Sequence, residues 1–139
     1  MKTLGIDHGE ARIGLALSDD LGMLAHPLET IAVRETKPIP RIAEVVARER
    51  VTHIILGLPR NMDGSYGPAA EKVRAFSEKL KAACPCEVKL WDERLTSVAA
   101  QRSLHEAGRN VKQSRAVIDQ VAAQMILQGW LDSQAYNPL

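Results

Sequence analysis

The chain has 139 residues, 45% of them hydrophobic and 25% charged, with a formal net charge of +1. Those values suit one globular domain spanning residues 1–139 that buries roughly two thirds of its unfolded surface, and they exclude a polyanion binder driven by global charge alone. They also exclude a helical membrane span, since no run approaches the ~18 apolar residues it requires.

The start, MKTLGIDHG, lacks the charged and apolar regions of a secretory leader, so the expected location is cytoplasmic. Cys84 and Cys86 form a CPC triplet. The spacing matches neither a CxxC redox pair nor half of a zinc site and is too close for a framework disulfide, so free thiols in a reducing compartment are expected.

Taken in order, Thr3 to Ile6 and Ile13 to Leu17 read as antiparallel strands joined by a hairpin at DHGE, with Gly9 where positive φ is expected. A third strand spans Pro27 to Val33, where Leu28, Thr30 and Ala32 alternate with Glu29, Ile31 and Val33. After Pro38 and Pro40 the period lengthens. Ile42, Val45 and Val46 share one helical face, and Arg41, Glu44, Arg48 and Glu49 the other. The near-continuous apolar run VTHIILGLP then suits a parallel strand covered on both faces. RNMDGSYG is a polar loop, Pro68 opens a helix spaced by Val73, Phe76 and Leu80, and Glu87 to Trp91 is the last strand. Thr96 or Ser97 caps a helix running to about Ala107, Arg109 to Arg115 reads as a basic loop, and Ala116 to Leu131 as the final helix. Three meander strands followed by two βα crossovers give an α/β fold. Its sheet is five-stranded and mixed, three strands antiparallel and two parallel, with helices on both faces.

In such a sheet the strand ends converge on the crevice where ligands bind. Asp7 ends the first strand and Glu93 lies just past the last. Asp119 precedes Ala122, Ala123 and Ile126 by three, four and seven residues, so it shares the helical face that packs on the sheet. Each acid alone has an ordinary reading: Asp7 as a turn cap, Glu93 as a helix-start acid beside Asp92, Asp119 as a residue reaching solvent at the edge of an apolar stripe. Three carboxylates gathered in one place repel by several kcal/mol unless cations compensate, and hard oxygen donors suit Mg2+ or Mn2+ rather than zinc.

The blocks LGIDHGEARIGLALSD, IILGLPRNMDG, WDERLTS and IDQVAAQMIL, in this order, resemble the YqgF family of bacterial ribonuclease H-like proteins. The family is also described as RuvX-type Holliday junction resolvases or pre-16S rRNA nucleases. The resemblance runs from residue 3 to about 131 and implies a ribonuclease H-like fold. It further implies a metal-dependent nuclease in which Asp7, Glu93 and Asp119 are catalytic and hold the metal, two Mg2+ or Mn2+ ions in the usual arrangement of such sites. The implied partner is nucleic acid: an rRNA precursor cut during maturation of the 5' end of pre-16S rRNA, or branched DNA. Cleaving a four-way junction takes two paired active sites and hence a symmetric homodimer.

Arg12, Arg60, Asn61, Arg109, Lys112 and Arg115 are candidates for gripping the substrate backbone, although charged loops are commonly just solvated and Arg12 could equally pair with an acid. His8, His26, His53 and His105 share no spacing that assembles a base or a zinc site. Trp91 and Trp130 read as core, and 4% aromatic content argues against an extended base-stacking surface. Two other classes compete. A nucleotide-binding module of the actin-like kind opens with a similar hairpin but needs a second lobe for which this length leaves no room. A catalytically silent RNA-binding or transcription-associated domain would keep the fold and lose an acid, whereas all three are present.

Overall fold

The computed structural model describes residues 2–61, 63–93 and 111–135, with side chains from 117 onward in the last segment. The helix expected over 96–107, Arg109, and the side chains of Lys112 and Arg115 lie outside the described residues. The elements are β1 (Lys2–His8), β2 (Arg12–Ser18), β3 (Ala25–Ala32), α1 (Pro38–Glu49), β4 (Val51–Leu58), α2 (Pro68–Ala83), β5 (Glu87–Asp92) and α3 (Val111–Ala135). They build one five-stranded sheet in the order β3-β2-β1-β4-β5. β1 pairs with β2 and β2 with β3 antiparallel, whereas β4 runs parallel to both β1 and β5.

Period-two alternation divides the strands between two cores. Leu4, Ile6, Ile13, Leu15, Ile54 and Leu56 pack on one face against Ile42 and Val45 of α1 and Val73 and Leu80 of α2. The other face offers smaller residues, and there Ala16 and Ile55 meet Ala122, Ala123, Ile126 and Leu127 of α3. Each fully buried Leu or Ile contributes about 1.5–3 kcal/mol, so both faces stabilise the sheet. Trp91 and Trp130 sit at the edge of the α3 core, as their reading from sequence expected. No described helix is long and apolar enough to cross a membrane.

Two local expectations are corrected. Gly9 does not adopt positive φ; among the described residues only Gly22, Gly64 and Arg50 do. Space is the reason for glycine there, because a Cβ on Gly9 would lie 2.6 Å from the Arg12 carbonyl oxygen. The last helix also begins at Val111, so residues 111–115 are helical rather than part of a basic loop, and it continues to Ala135. The segment VKQSR has no glycine or proline, and its Lys, Gln and Arg favour helix, so charge alone gave no reason to interrupt it.

Glycines also set how near α3 comes. A Cβ on Gly5 would lie 2.6 Å from Leu127 Cβ, and one on Gly14 would overlap the carbonyl oxygen of Asp119. The backbone of α3 at Asp119 therefore rests directly on β2 at Gly14.

Candidate functional site

That contact places the first pair of acids. Asp7, one residue from the end of the central strand, is the cross-strand partner of Gly14, and partners in an antiparallel pair project to the same face. Asp7 thus projects toward the stretch of α3 that carries Asp119. Glu93 follows β5, and a Cβ on Gly57 of β4 would lie 2.8 Å from Glu93 Oε1. The three carboxylates, from residues up to 112 positions apart in the chain, line one cavity of about 410 Å3 with His8, Gly9, Glu10, Arg12, Pro59 and Ile118. Asp7 is 5% exposed and Asp119 9%.

Burying ionised carboxylates is costly unless each has a partner. Arg12, at the start of β2, supplies one: its Nε donates to Asp119 Oδ2 at 2.8 Å. Asp7 and Glu93 are engaged as well. The donors are all hard oxygens, which matches Mg2+ or Mn2+ and not a soft metal. Among the described residues no three His, Cys, Asp or Glu side chains stand as a ready-made cation group. The set is therefore right in kind for a divalent ion, which would meet the Arg12 guanidinium already bonded to one Asp119 oxygen.

His8 is a cavity residue that its sequence spacing did not reveal. It alternates with Asp7 to the opposite face and packs on Phe76 of α2, ring centroids 4.5 Å apart, yet the end of the strand leaves it at the rim. Burial first, and the nearby Lys72 charge second, hold its pKa below the ordinary 6.5, so the imidazole is biased toward its neutral form. Lys72 also pairs with Glu10, linking α2 to the tip of the β1–β2 hairpin beside the cavity.

Arg60 and Asn61 lie in the loop after β4, and neither lines the cavity. Arg60 donates from Nε to the Gly64 carbonyl at 3.0 Å and from a terminal nitrogen to Asp92 Oδ2 at 3.2 Å. Asn61 Nδ2 donates to Ser65 Oγ at 3.0 Å, and Ser65 donates through its backbone N–H and hydroxyl to Asp63. The polar loop is thus folded upon itself, with Gly64 at φ 87° allowing the turn. Cys84 and Cys86 are free thiols, and burial pushes Cys86 up to about 11, which leaves it protonated and unreactive.

A protein-family model described as RuvX, Holliday junction resolvase, matches residues 1–133. A Myxococcus xanthus protein named "Putative pre-16S rRNA nuclease" is 49% identical over 134 residues, covering 96% of this chain and 89% of its own length. A Halalkalibacterium halodurans protein of the same name is 47% identical over 137 residues, covering 96% and 98% respectively. Among solved structures, Thermus thermophilus RuvC in complex with a Holliday junction substrate superposes with a TM-score of 0.61 at 17% identity, over 99% of this chain and 97% of that one. At that identity the likeness supports the ribonuclease H-like fold.

Proposed function

Because the chain belongs to the RuvX Holliday junction resolvase family, we propose that it is a divalent-metal-dependent nuclease acting on structured nucleic acid, with pre-16S rRNA as the substrate. The observation that carries this reading is the convergence of Asp7, Glu93 and Asp119 on one cavity from the first strand, the last strand and the final helix. The choice of rRNA rests on the names of the close relatives. Junction cleavage is the second reading, which the family description favours and which would take a homodimer with two paired sites.

In this account Asp7, Glu93 and Asp119 hold Mg2+ or Mn2+, two ions in the usual arrangement. When bound, the metal supplies the positive charge that polarises a phosphodiester and acidifies water. The chain's own residues do the rest. Asp7 projects from the central strand, which is hydrogen-bonded on both sides, so its oxygens are held in place before substrate arrives. Glu93 and Asp119 approach from opposite sides. Arg12 neutralises Asp119 in the free protein; once released it stands at the cavity with a guanidinium suited to a phosphate oxygen. A neutral His8 at the rim adds no charge that would oppose a cation. Lys112 and Arg115, in the first turns of α3, and Arg109 before it are assigned to the substrate backbone, where each contact adds salt-dependent affinity without sequence choice.

The test is a cleavage panel of rRNA precursor, four-way junction DNA and single strands, each with and without Mn2+. Mn2+-dependent cutting of the precursor is expected. Cutting of the junction alone transfers the function to the second reading, and no cutting of any substrate removes the nuclease reading.

A further inference from the structure

A second basic feature stands beside the carboxylate cavity and is not part of it. Tyr66 lies in the loop between β4 and α2 and is 43% exposed. The guanidinium carbon of Arg60 sits 4.6 Å from its ring centroid and that of Arg74, on α2, 4.5 Å from the same centroid. Both are within cation–π range, and planar guanidinium groups stack on aromatic faces.

Several links tie this cluster to the cavity. Arg60 follows Pro59, which lines the cavity, and bonds to Asp92, the residue before Glu93. Ala69, in the first turn of α2 and three residues from Tyr66, lines it too. A strand leaving the cavity on the side of α2 would therefore meet the cluster.

Packing alone does not account for its composition. Arg60 is already fixed by Gly64 and Asp92, and one arginine suffices to hold a tyrosine in place. Arg74 adds a second positive charge to the same ring, necessarily within about one Debye length (~10 Å at 0.1 M salt) of the first. Its own partner is Glu71, an i,i+3 pair on the helix surface whose side chains are 42% and 70% exposed, a kind of pair that contributes little. Asp92 compensates Arg60, whereas the solvent-exposed Arg74–Glu71 pair is readily given up to a phosphate, and guanidinium planes backed by an aromatic ring accept an unpaired base.

We propose that Arg60, Tyr66 and Arg74 form a platform for an unpaired nucleotide flanking the cleavage position, the Arg60–Tyr66 stack receiving the base and Arg74 the phosphate, RNA or DNA sharing that chemistry. This inference rests on the nucleic-acid reading above and extends it to a single-stranded segment next to the cut. A blunt duplex, whose bases are already stacked, would gain only the charge contact.

The test is fluorescence anisotropy in EDTA, where metal-dependent cleavage is prevented, with labelled single-stranded RNA, single-stranded DNA and a blunt duplex of the same sequence. Tyr66→Ala and Arg74→Ala are expected to weaken single-strand binding about five-fold or more and duplex binding much less. Tyr66→Phe, which keeps the ring, should bind within about two-fold of wild type, and Arg74→Ala should reduce the salt slope by about one. Thermal melts verify folding, and the half-buried Arg74, on α2, gives a variant outside the loop itself. Preference between the RNA and DNA arms identifies the source of the strand. Unchanged affinity in Arg74→Ala, an equal loss on the duplex, or a loss in Tyr66→Phe matching that of Tyr66→Ala overturns the platform. If wild type cuts the precursor while these variants bind normally, the platform alone falls. If wild type neither binds nor cuts any nucleic acid, the nuclease reading falls with it.

Discussion

Replacing Arg12 by glutamine removes the cation bonded to Asp119 while keeping much of the side chain's length. The pair is intermediate in exposure, 35% for the Arg12 side chain and 12% for that of Asp119. Breaking a buried pair costs 3–5 kcal/mol and an exposed one 0–1, so a loss of about 1.5–2.5 kcal/mol is expected, equivalent to about 5–8 °C in Tm for a chain of this size. Metal should offset much of the deficit. Because a divalent ion no longer competes with a guanidinium for Asp119, a ten-fold tighter site would add about 1.4 kcal/mol of stabilisation at saturating ion. Thermal melts of wild type and Arg12→Gln, in EDTA and across a Mn2+ titration, read both effects. The expected pattern is a lower Tm in EDTA and a larger rise with Mn2+. An unchanged Tm in EDTA would refute the energetic role of the pair, and identical Mn2+ responses would refute the competition.

Other outcomes follow from elements away from the cavity. Gly14→Ala forces a methyl group into the Asp119 carbonyl oxygen, a backbone atom that cannot swing aside, so it should cost about 3 kcal/mol in urea unfolding. Gly22→Ala, at φ 70° with open space around it, should cost only about 1 kcal/mol; equal losses at the two positions would count against a direct seat of α3 on β2. Glu29 accepts from Arg41 Nη2 at 2.6 Å and Nε at 2.9 Å, and this hydrogen bonding holds its carboxyl below the ordinary 4.5. With the folded value below the unfolded one, the pair stabilises fully above about pH 4.5 and less as pH falls through the folded value. Glu29→Gln should therefore lose about 1 kcal/mol at pH 7, with the gap from wild type narrowing below pH 4.5; a constant gap down to pH 3 contradicts this.

Local patterning carried much of the fold. The apolar run of β4, the alternation in β1 and β2, and the spacing of Asp119 from Ala122, Ala123 and Ile126 are near-neighbour signals, and the last three residues are indeed at most 2% exposed. The convergence of the acids was legible for the same reason, since strand ends and one helical face are set by local periods. Features that depend on distant contacts were not. The partner of Arg12 is 107 residues away, and Gly14 looked like any strand glycine until α3 lay against it. RNMDGS showed two groups suited to phosphate, but in the fold its Asn, Asp and Ser satisfy one another and Arg60 spends its donors on Gly64 and Asp92. Arg74 and Tyr66 meet Arg60 only because α2 folds back beside its own preceding loop.

Single-turnover cleavage of an rRNA precursor in Mn2+, comparing wild type with Asp7→Asn, Glu93→Gln and Asp119→Asn whose folding is checked by circular dichroism, tests the central claim most directly. Each variant is expected to cut roughly 100-fold more slowly or worse. A folded Asp7→Asn protein that cuts at the wild-type rate would contradict the assignment of the cavity as the site of hydrolysis.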